Sequence, residues 1–315
     1  MQIDFTVAIP TYNGAKRLPI LLERLRSQTN PNQINWEILI VDNNSTDDTA
    51  QVVQTYQSNW DQKFPLRYSF EPEQGAAFAR HRAVHEAKAA LIGFLDDDNL
   101  PDLNWLSASY SFSQKYPKAG AYSGQIHGDF EVEPPPNFNQ IQAFLAIREH
   151  GPNPSRFDPD KLQLPPAASL VVRKQAWNDV PPRPNLTGKL PGLFIQGDDY
   201  EPLLYMHKAG WEIWYNPDMH TYHQIPRQRL ERSYLLMLAR GCGLATYQLR
   251  MINATPQQAP IIFTKTLIGN LRRMLMHLLK YRGKLKTELI PAFEMAFYRG
   301  SLESTFFSFR KPQVK

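Results

Sequence analysis

Residues 91–101 read LIGFLDDDNLP, a short apolar run followed at once by three aspartates. Such a run, ended by a turn signal, predicts a buried strand over 91–95. The acids begin where that strand leaves the core. Working outward, the same arrangement recurs. Residues 5–10, FTVAIP, form a second short run and end in the turn TYNG. Residues 36–41, WEILIV, lead into DNNSTDDT, a polar cluster able to cap a helix over 49–58. Residues 66–70 read as a further strand. Between these runs, Leu18, Leu21, Leu22 and Leu25 recur at helical spacing, and residues 75–90, GAAFARHRAVHEAKAA, are rich in helix formers. Strands alternating with helices predict βαβ units and a parallel sheet. In such sheets ligands bind beyond the carboxyl ends of the strands, where TYNG, DNNSTDD and DDDN all fall.

Later elements are sparser. EVEPPP at 131–136 and proline-rich runs at 151–166 and 180–191 mark loops. A helix is expected over 138–148, a strand over 168–172, and another over 211–215 followed by a polar tail. Asp198, Asp199 and Glu201 open a helix that stops at Gly210. No internal repeat is present, and the chain beyond Gln224 reads as mainly helical.

The 315 residues, 42% apolar and 12% aromatic, suffice for one large α/β core with an appendage. A single cysteine, Cys242, excludes an intramolecular disulfide and a cysteine-based zinc site. No apolar run approaches the roughly 18 residues of a membrane span. The opening MQIDFTVAIP has no basic region of the signal-peptide kind, so the protein is expected to stay in the cytoplasm. The net charge of +5 conceals a division: from Gln224 onward 16 Lys/Arg face 4 Asp/Glu, a balance of +12, against −7 before it.

Three adjacent carboxylates repel one another unless a cation relieves them. Carboxylates suit Mg2+ or Mn2+. Alternate residues of an extended segment share a side, so Asp96 and Asp98 can act together with Asp97 turned away. The bland alternative is a helix cap at Asp98 or Asn99, before Pro101. DNNSTDDT is in large part a capping cluster, but Asp42 follows a strand directly and can meet a base or ribose. The acids of GDDYE either favour a helix N-terminus or include a general base. His220 and His223 follow as candidate ligands. GxxxxGK[ST] is missing, and no GxGxxG follows a strand. The only GxG, Gly241 and Gly243, lies in a helical stretch. That argues against kinase and dehydrogenase readings.

Taken in order, AIPTYNGAKRL, EILIVDNNSTDDT, EPEQGAAFAR, GFLDDDN, GDDYE and PDMHTYH resemble the family 2 glycosyltransferases over about two thirds of the chain. The resemblance is greatest to those of cyanobacterial hormogonium polysaccharide synthesis. It implies a GT-A fold: a Rossmann-like α/β sandwich with a mostly parallel sheet, here with a helical basic C-terminal region. The transferase domain would span 1–223, with a nucleotide part to about residue 100 and an acceptor part from 101. The extension would be 224–315. By position, Pro10, Tyr12, Asp42, Arg80 and Asp96 would bind the nucleotide, and Asp98 and His223 the metal. Asp199 would be the catalytic base, supported by Asp198. The first acid of this pair is usually Glu in the family, so which of the two reaches the acceptor stays open. The implied reaction is inverting transfer from a UDP- or GDP-type sugar donor to a saccharide or lipid-linked acceptor. Mn2+ or Mg2+ would act as Lewis acid on the phosphoryl oxygens.

Residues 265–281 have a helical period. Leu267, Ile268, Leu271, Met274, Leu275, Leu278 and Leu279 share one face, with Lys265, Arg272, Arg273 and Lys280 off it. This is either a helix packed on the core or one lying on an anionic membrane at the inner face of the plasma membrane. No nucleic-acid motif is present. Two competing functions are a sugar-nucleotide nucleotidyltransferase, which would want a glycine-rich basic loop that TYNGAKR lacks, and a silent carbohydrate-binding scaffold, which would not need every acid cluster occupied.

Overall fold

A computed structural model describes residues 2–60, 64–190 and 193–307. Its first half follows the expected alternation. Strand β1 (Phe5–Thr11) leads to helix α1 (Leu18–Arg26), β2 (Trp36–Asp42) to α2 (Thr49–Ser58), and β3 (Leu66–Phe70) to α3 (Ala76–Glu86). Then come β4 (Leu91–Phe94), β5 (Asn99–Pro101), α4 (Trp105–Lys115) and β6 (Ala119–Phe130). Strands β7 (Ser155–Arg156) and β8 (Leu170–Arg173) precede α5 (Lys174–Trp177), the small hairpin of β9 (Lys189–Leu190) and β10 (Leu193–Phe194), and α6 (Tyr200–Lys208). Strand β11 (Glu212–Ile225) is followed by α7 (Arg227–Leu230), α8 (Arg232–Ile252), α9 (Ala259–Tyr281) and α10 (Leu289–Phe307).

The main sheet runs β3-β2-β1-β4-β8-β6-β11-β5. Its β3-β2-β1-β4 half is wholly parallel, whereas β8 lies antiparallel to both β4 and β6. Alternation decides the two faces. Phe5, Val7 and Ile9 meet the leucines of α1 and Trp105 on one side. Ala8, Leu39, Val41 and Phe94 meet α3 and α6 on the other. Both sides of these strands are covered, so they read as unbroken apolar runs.

Several expectations are corrected. No α-helix forms over 138–148; two short 3₁₀ turns, Phe138–Gln140 and Gln142–Leu145, stand there instead. Asn137 and Ala146, at φ of +63° and +62°, interrupt any continuous helix. The tail after residue 215 is not loop but the continuation of β11, with an irregularity between Tyr215 and His220. Asp98 and Asn99 cap no helix, because residues 99–101 form β5 against β11. Residues 191–192, at the end of the expected proline-rich loop, and 308–315 of the extension lie outside the described residues.

The helical C-terminal region is present. Helices α8 and α10 approach closely at glycines: a Cβ on Gly243 would sit 2.4 Å from the Phe297 carbonyl oxygen. The two glycines of the GxG are therefore packing residues. Helix α9 is turned inside out. Thr266, Asn270 and His277 are buried, while Ile268, Leu275 and Leu279 are 59%, 54% and 78% exposed. This excludes the core-packing reading of that face. Among the described residues no helix is long and apolar enough to cross a membrane.

Candidate active site

The acidic ledge takes its shape from β5. His223 pairs with Asn99 across β11 and β5, and the Gln224 amide donates to the Asp98 carbonyl at 2.9 Å. The strand end that carries the aspartates is thereby laid against the histidine. The three carboxylates then part ways. Asp97 points inward, accepting from Arg17 Nε and Nη2 at 2.7 and 2.9 Å and from Thr11 Oγ1 at 2.5 Å. Its burial raises its pKa, and Arg17 opposes that rise. Asp96 is half-exposed, 3.5 Å from Arg80 Nη2. Asp98 is buried, 3.6 Å from His223 Nε2 and 2.7 Å from Arg229 Nη2. Burial works against its charge, but His223 when its ring is doubly protonated, and Arg229 in either state of that ring, hold it well below the usual carboxylate range. The expected division, Asp96 and Asp98 on one side with Asp97 turned away, is not the observed one: Asp97 and Asp98 are equally buried, all three aspartates border one cavity, and they differ in which arginine each meets.

Opposite the ledge, Asp198 and Asp199 lead into α6. Gly197, at φ +99°, makes the turn before them, and a Cβ there would meet Ala245 and Leu249 of α8 at 3.0 and 3.1 Å. Asp198 accepts from Arg80 Nη1 at 2.6 Å. Arg80 thus joins the two acid clusters, and its own pKa is raised by Asp198, Asp96 and Asp199 against the effect of burial. Its Nε is buried without a hydrogen-bond partner among the described residues. Asp199 has only a long contact from the Ala167 amide, 3.4 Å. Burial first, then the Asp198 charge, push its carboxyl up to about 6. Glu201, the third acid of that segment, is occupied elsewhere: it accepts from the Asn185 and Leu186 amides at 3.0 and 2.7 Å.

A single cavity of about 570 Å3 is lined by Pro10, Tyr12, Arg80, Asp96, Asp98, Asp198, Asp199 and His223. Its volume lies within the usual range of small-molecule sites. Of the residues to which the resemblance gives a role, Asp42 alone does not line it. Asp42 is buried, accepting from Tyr68 Oη at 2.8 Å and the Ser45 amide at 2.9 Å, and its neighbour Asn43 meets the cavity instead. The rest of DNNSTDDT ties two loops together, with Asn13 Oδ1 accepting from the Thr46 amide at 2.8 Å. His220 bonds His127 at 2.9 Å and lies outside the lining.

Sequence reasoning missed Arg17, Arg229 and the apolar wall. Arg17 sits in the quoted AIPTYNGAKRL, but nothing local tied it to Asp97. The wall consists of Phe144, Leu145, Leu238, Ala245, Leu249 and Phe297, brought in by a 3₁₀ turn and by α8 and α10. Its only signal was apolar content in a helical tail.

The donor set fits a divalent cation. His223 Nδ1 is 2.8 Å from the Leu145 carbonyl, so that nitrogen carries the proton and Nε2 keeps its lone pair. With the low Asp98 carboxylate this gives one oxygen and one nitrogen ligand. No cluster of three metal-binding side chains occurs among the described residues. Two protein ligands completed by substrate phosphates and water are the usual Mg2+ arrangement.

Comparison with known proteins agrees with this geometry. Residues 6–167 match the family model described as glycosyl transferase family 2. Glycosyltransferase AglE of Haloferax volcanii is 28% identical over 181 residues, 57% of this chain and 56% of that protein. The putative teichuronic acid biosynthesis glycosyltransferase TuaG of Bacillus subtilis is 29% identical over 119 residues, 38% of this chain and 45% of that protein. The chain spans about half the length of these curated relatives. Among solved structures, the mannosyltransferase PcManGT from Pyrobaculum calidifontis, in complex with GDP-Man and Mn2+, superposes with a TM-score of 0.65 at 16% identity, over 99% of this chain and 89% of that one. TarS 1–349 of S. aureus, in complex with UDP-GlcNAc, gives 0.54 at 15% identity, over 97% and 92%. These structures share the GT-A fold. With half of its length matched by the family model, the chain belongs to glycosyl transferase family 2.

Proposed function

We propose that this protein is a metal-dependent, inverting glycosyltransferase. It moves a sugar from a UDP- or GDP-type donor to a saccharide or lipid-linked acceptor, in exopolysaccharide synthesis of the hormogonium kind. One observation carries the reading: a carboxylate ledge and a second carboxylate pair face one cavity and are joined by a single buried arginine.

Each group has a task. Tyr12, 44% exposed beside Pro10, offers a ring on which a base can stack. Asp42 acts behind the nucleotide, fixing the turn that presents Asn43. Asp96 and Arg80 serve the ribose and phosphates. Asp98 and His223 hold Mn2+ or Mg2+, which when bound neutralises charge on the phosphoryl oxygens of the leaving group. Asp198 is spent on Arg80, so Asp199 is the base. A carboxyl lifted to about 6 is ionised at neutral pH yet basic enough to take a hydroxyl proton. The apolar wall favours an acceptor with a hydrocarbon or aromatic part beside its hydroxyl. The outward apolar stripe of α9, in a helix with no acid and with the exposed Lys265, Arg272, Arg273 and Lys280 off that stripe, favours peripheral attachment to an anionic inner membrane face. In this reading 1–223 is the transferase unit, split near residue 100, and 224–315 its membrane-facing extension.

The test is Asp199→Asn. Transfer, followed as UDP or GDP release with Mn2+ present, falls by about 10² to 10⁴, while UDP affinity by calorimetry is unchanged. Full turnover in that variant removes Asp199 from the role.

A further inference from the structure

Arg229 has no task in the reaction above. It enters from α7, beyond the segment that carries both acid clusters. Its Nη2 lies 2.7 Å from Asp98 Oδ2 and its Nη1 2.8 Å from His223 Nε2. A guanidinium only donates, so Nε2 accepts. The Leu145 carbonyl at 2.8 Å fixes the proton on Nδ1. The same lone pair and the same carboxylate that would hold a divalent cation are therefore engaged by one side chain. Asp199 apart, the other acids facing the cavity have their own cations: Arg17 answers Asp97, and Arg80 answers Asp198 and Asp96. Arg229 alone is matched to the pair assigned to the metal.

We propose that Arg229 is an exchangeable counter-ion. Its guanidinium holds Asp98 and His223 until a divalent cation takes them, and then passes to the diphosphate of the donor. The two positive groups cannot share those atoms, because each needs the carboxylate oxygen and the imidazole lone pair. A planar fork that pairs with a carboxylate pairs equally well with a phosphate. The exchange keeps a buried carboxylate compensated throughout, which an uncovered Asp98 among Asp96 and Asp97 would not be. It also makes metal and nucleotide cooperative, since the displaced guanidinium gains a partner only when the diphosphate arrives. This inference rests on the metal reading given above.

The experiment titrates Mn2+ alone into the full-length protein, by calorimetry and by loss of the free-ion EPR signal. The proteins are wild type, Arg229→Ala, Arg229→Gln and Arg229→Lys. Gln keeps most of the volume and a donor, so it guards against a folding defect in the Ala variant; circular dichroism monitors all four. Removing a positive charge beside the ion should tighten Mn2+ binding about tenfold in the Ala and Gln variants, with Lys near wild type. With Mn2+ saturating, UDP should bind about tenfold more weakly to Ala and Gln. Mn2+ affinity in Ala and Gln equal to or below wild type overturns the exchange, and so does an unchanged UDP affinity. If Mn2+ binds none of the four and leaves UDP binding unaffected, the metal reading itself fails and the exchange with it. Binding to wild type without tightening in the variants discards the exchange alone.

Discussion

Helices α1 and α9 carry the same kind of apolar stripe, and the fold turns them opposite ways. Leu18, Leu21, Leu22 and Leu25 of α1 are fully buried against Val7, Ile9 and Trp105. In α9 the leucines face outward and the polar residues face in. The reason lies in the neighbour. α1 lies on an apolar sheet face. α9 lies along α10, which offers it polar groups: His277 Nε2 bonds the Pro291 carbonyl at 2.8 Å, its Nδ1 stands 3.7 Å from Glu294, and its ring packs edge-on to Tyr298. Periodicity marks which residues share a face. It does not say whether that face is the one covered.

The sharpest way to break this comparison is to truncate one leucine in each helix. Leu22→Ala should cost about 2–5 kcal/mol in urea denaturation, the price of a cavity in a packed core. Leu275→Ala should stay within about 0.5 kcal/mol. A comparable loss for Leu275 would mean that the outer face of α9 is covered in solution. The second test takes the triple variant Leu271→Ser, Leu275→Ser and Leu279→Ser. Its affinity for phosphatidylglycerol vesicles in co-sedimentation should fall about 10²-fold, with the melting temperature held. Equal binding dismisses the membrane role. The smallest effect concerns how the two regions meet at the site. Below pH about 6 the Asp199 carboxyl is protonated and cannot accept the acceptor's proton, so the rate should drop about tenfold per pH unit. Because Leu249 of α8 packs over Gly197, Leu249→Ala should wet the site and move this limb to lower pH. A limb that stays in place would show that the C-terminal helices do not dry the base.

Much of the parallel half was legible from local pattern. Strand β3 and helix α2 have the bounds that their residues predicted, and β2 extends only to include Asp42. Strands β1, β2 and β3 pair in chain order, so chain order and spatial order nearly coincide there. Residues 138–148 were misread because their apolar positions suit a helix, yet each one is satisfied by a separate short turn in a cluster with α8 and α10. The antiparallel β8, inserted between β4 and β6, was found as a strand but not in its direction. Nothing within a strand encodes the partner that will flank it. At the site, Asp96, Asp98, Asp198, Asp199 and His223 were all nameable from residue type and position at strand ends, and the cavity brings them together.

By itself, the sequence determined the α/β class, the order of the acid clusters and the strand ends on which they sit, because hydrophobic period and turn chemistry act over a few residues. Tertiary structure alone decided which cation each carboxylate faces: Arg17 for Asp97, Arg80 for Asp198, Arg229 for Asp98. Those partners stand 80, 118 and 131 positions apart in the chain. Electrostatics depends on distance in space, and only the packed sheet and the returning helices convert such separations into contacts of 3 Å or less.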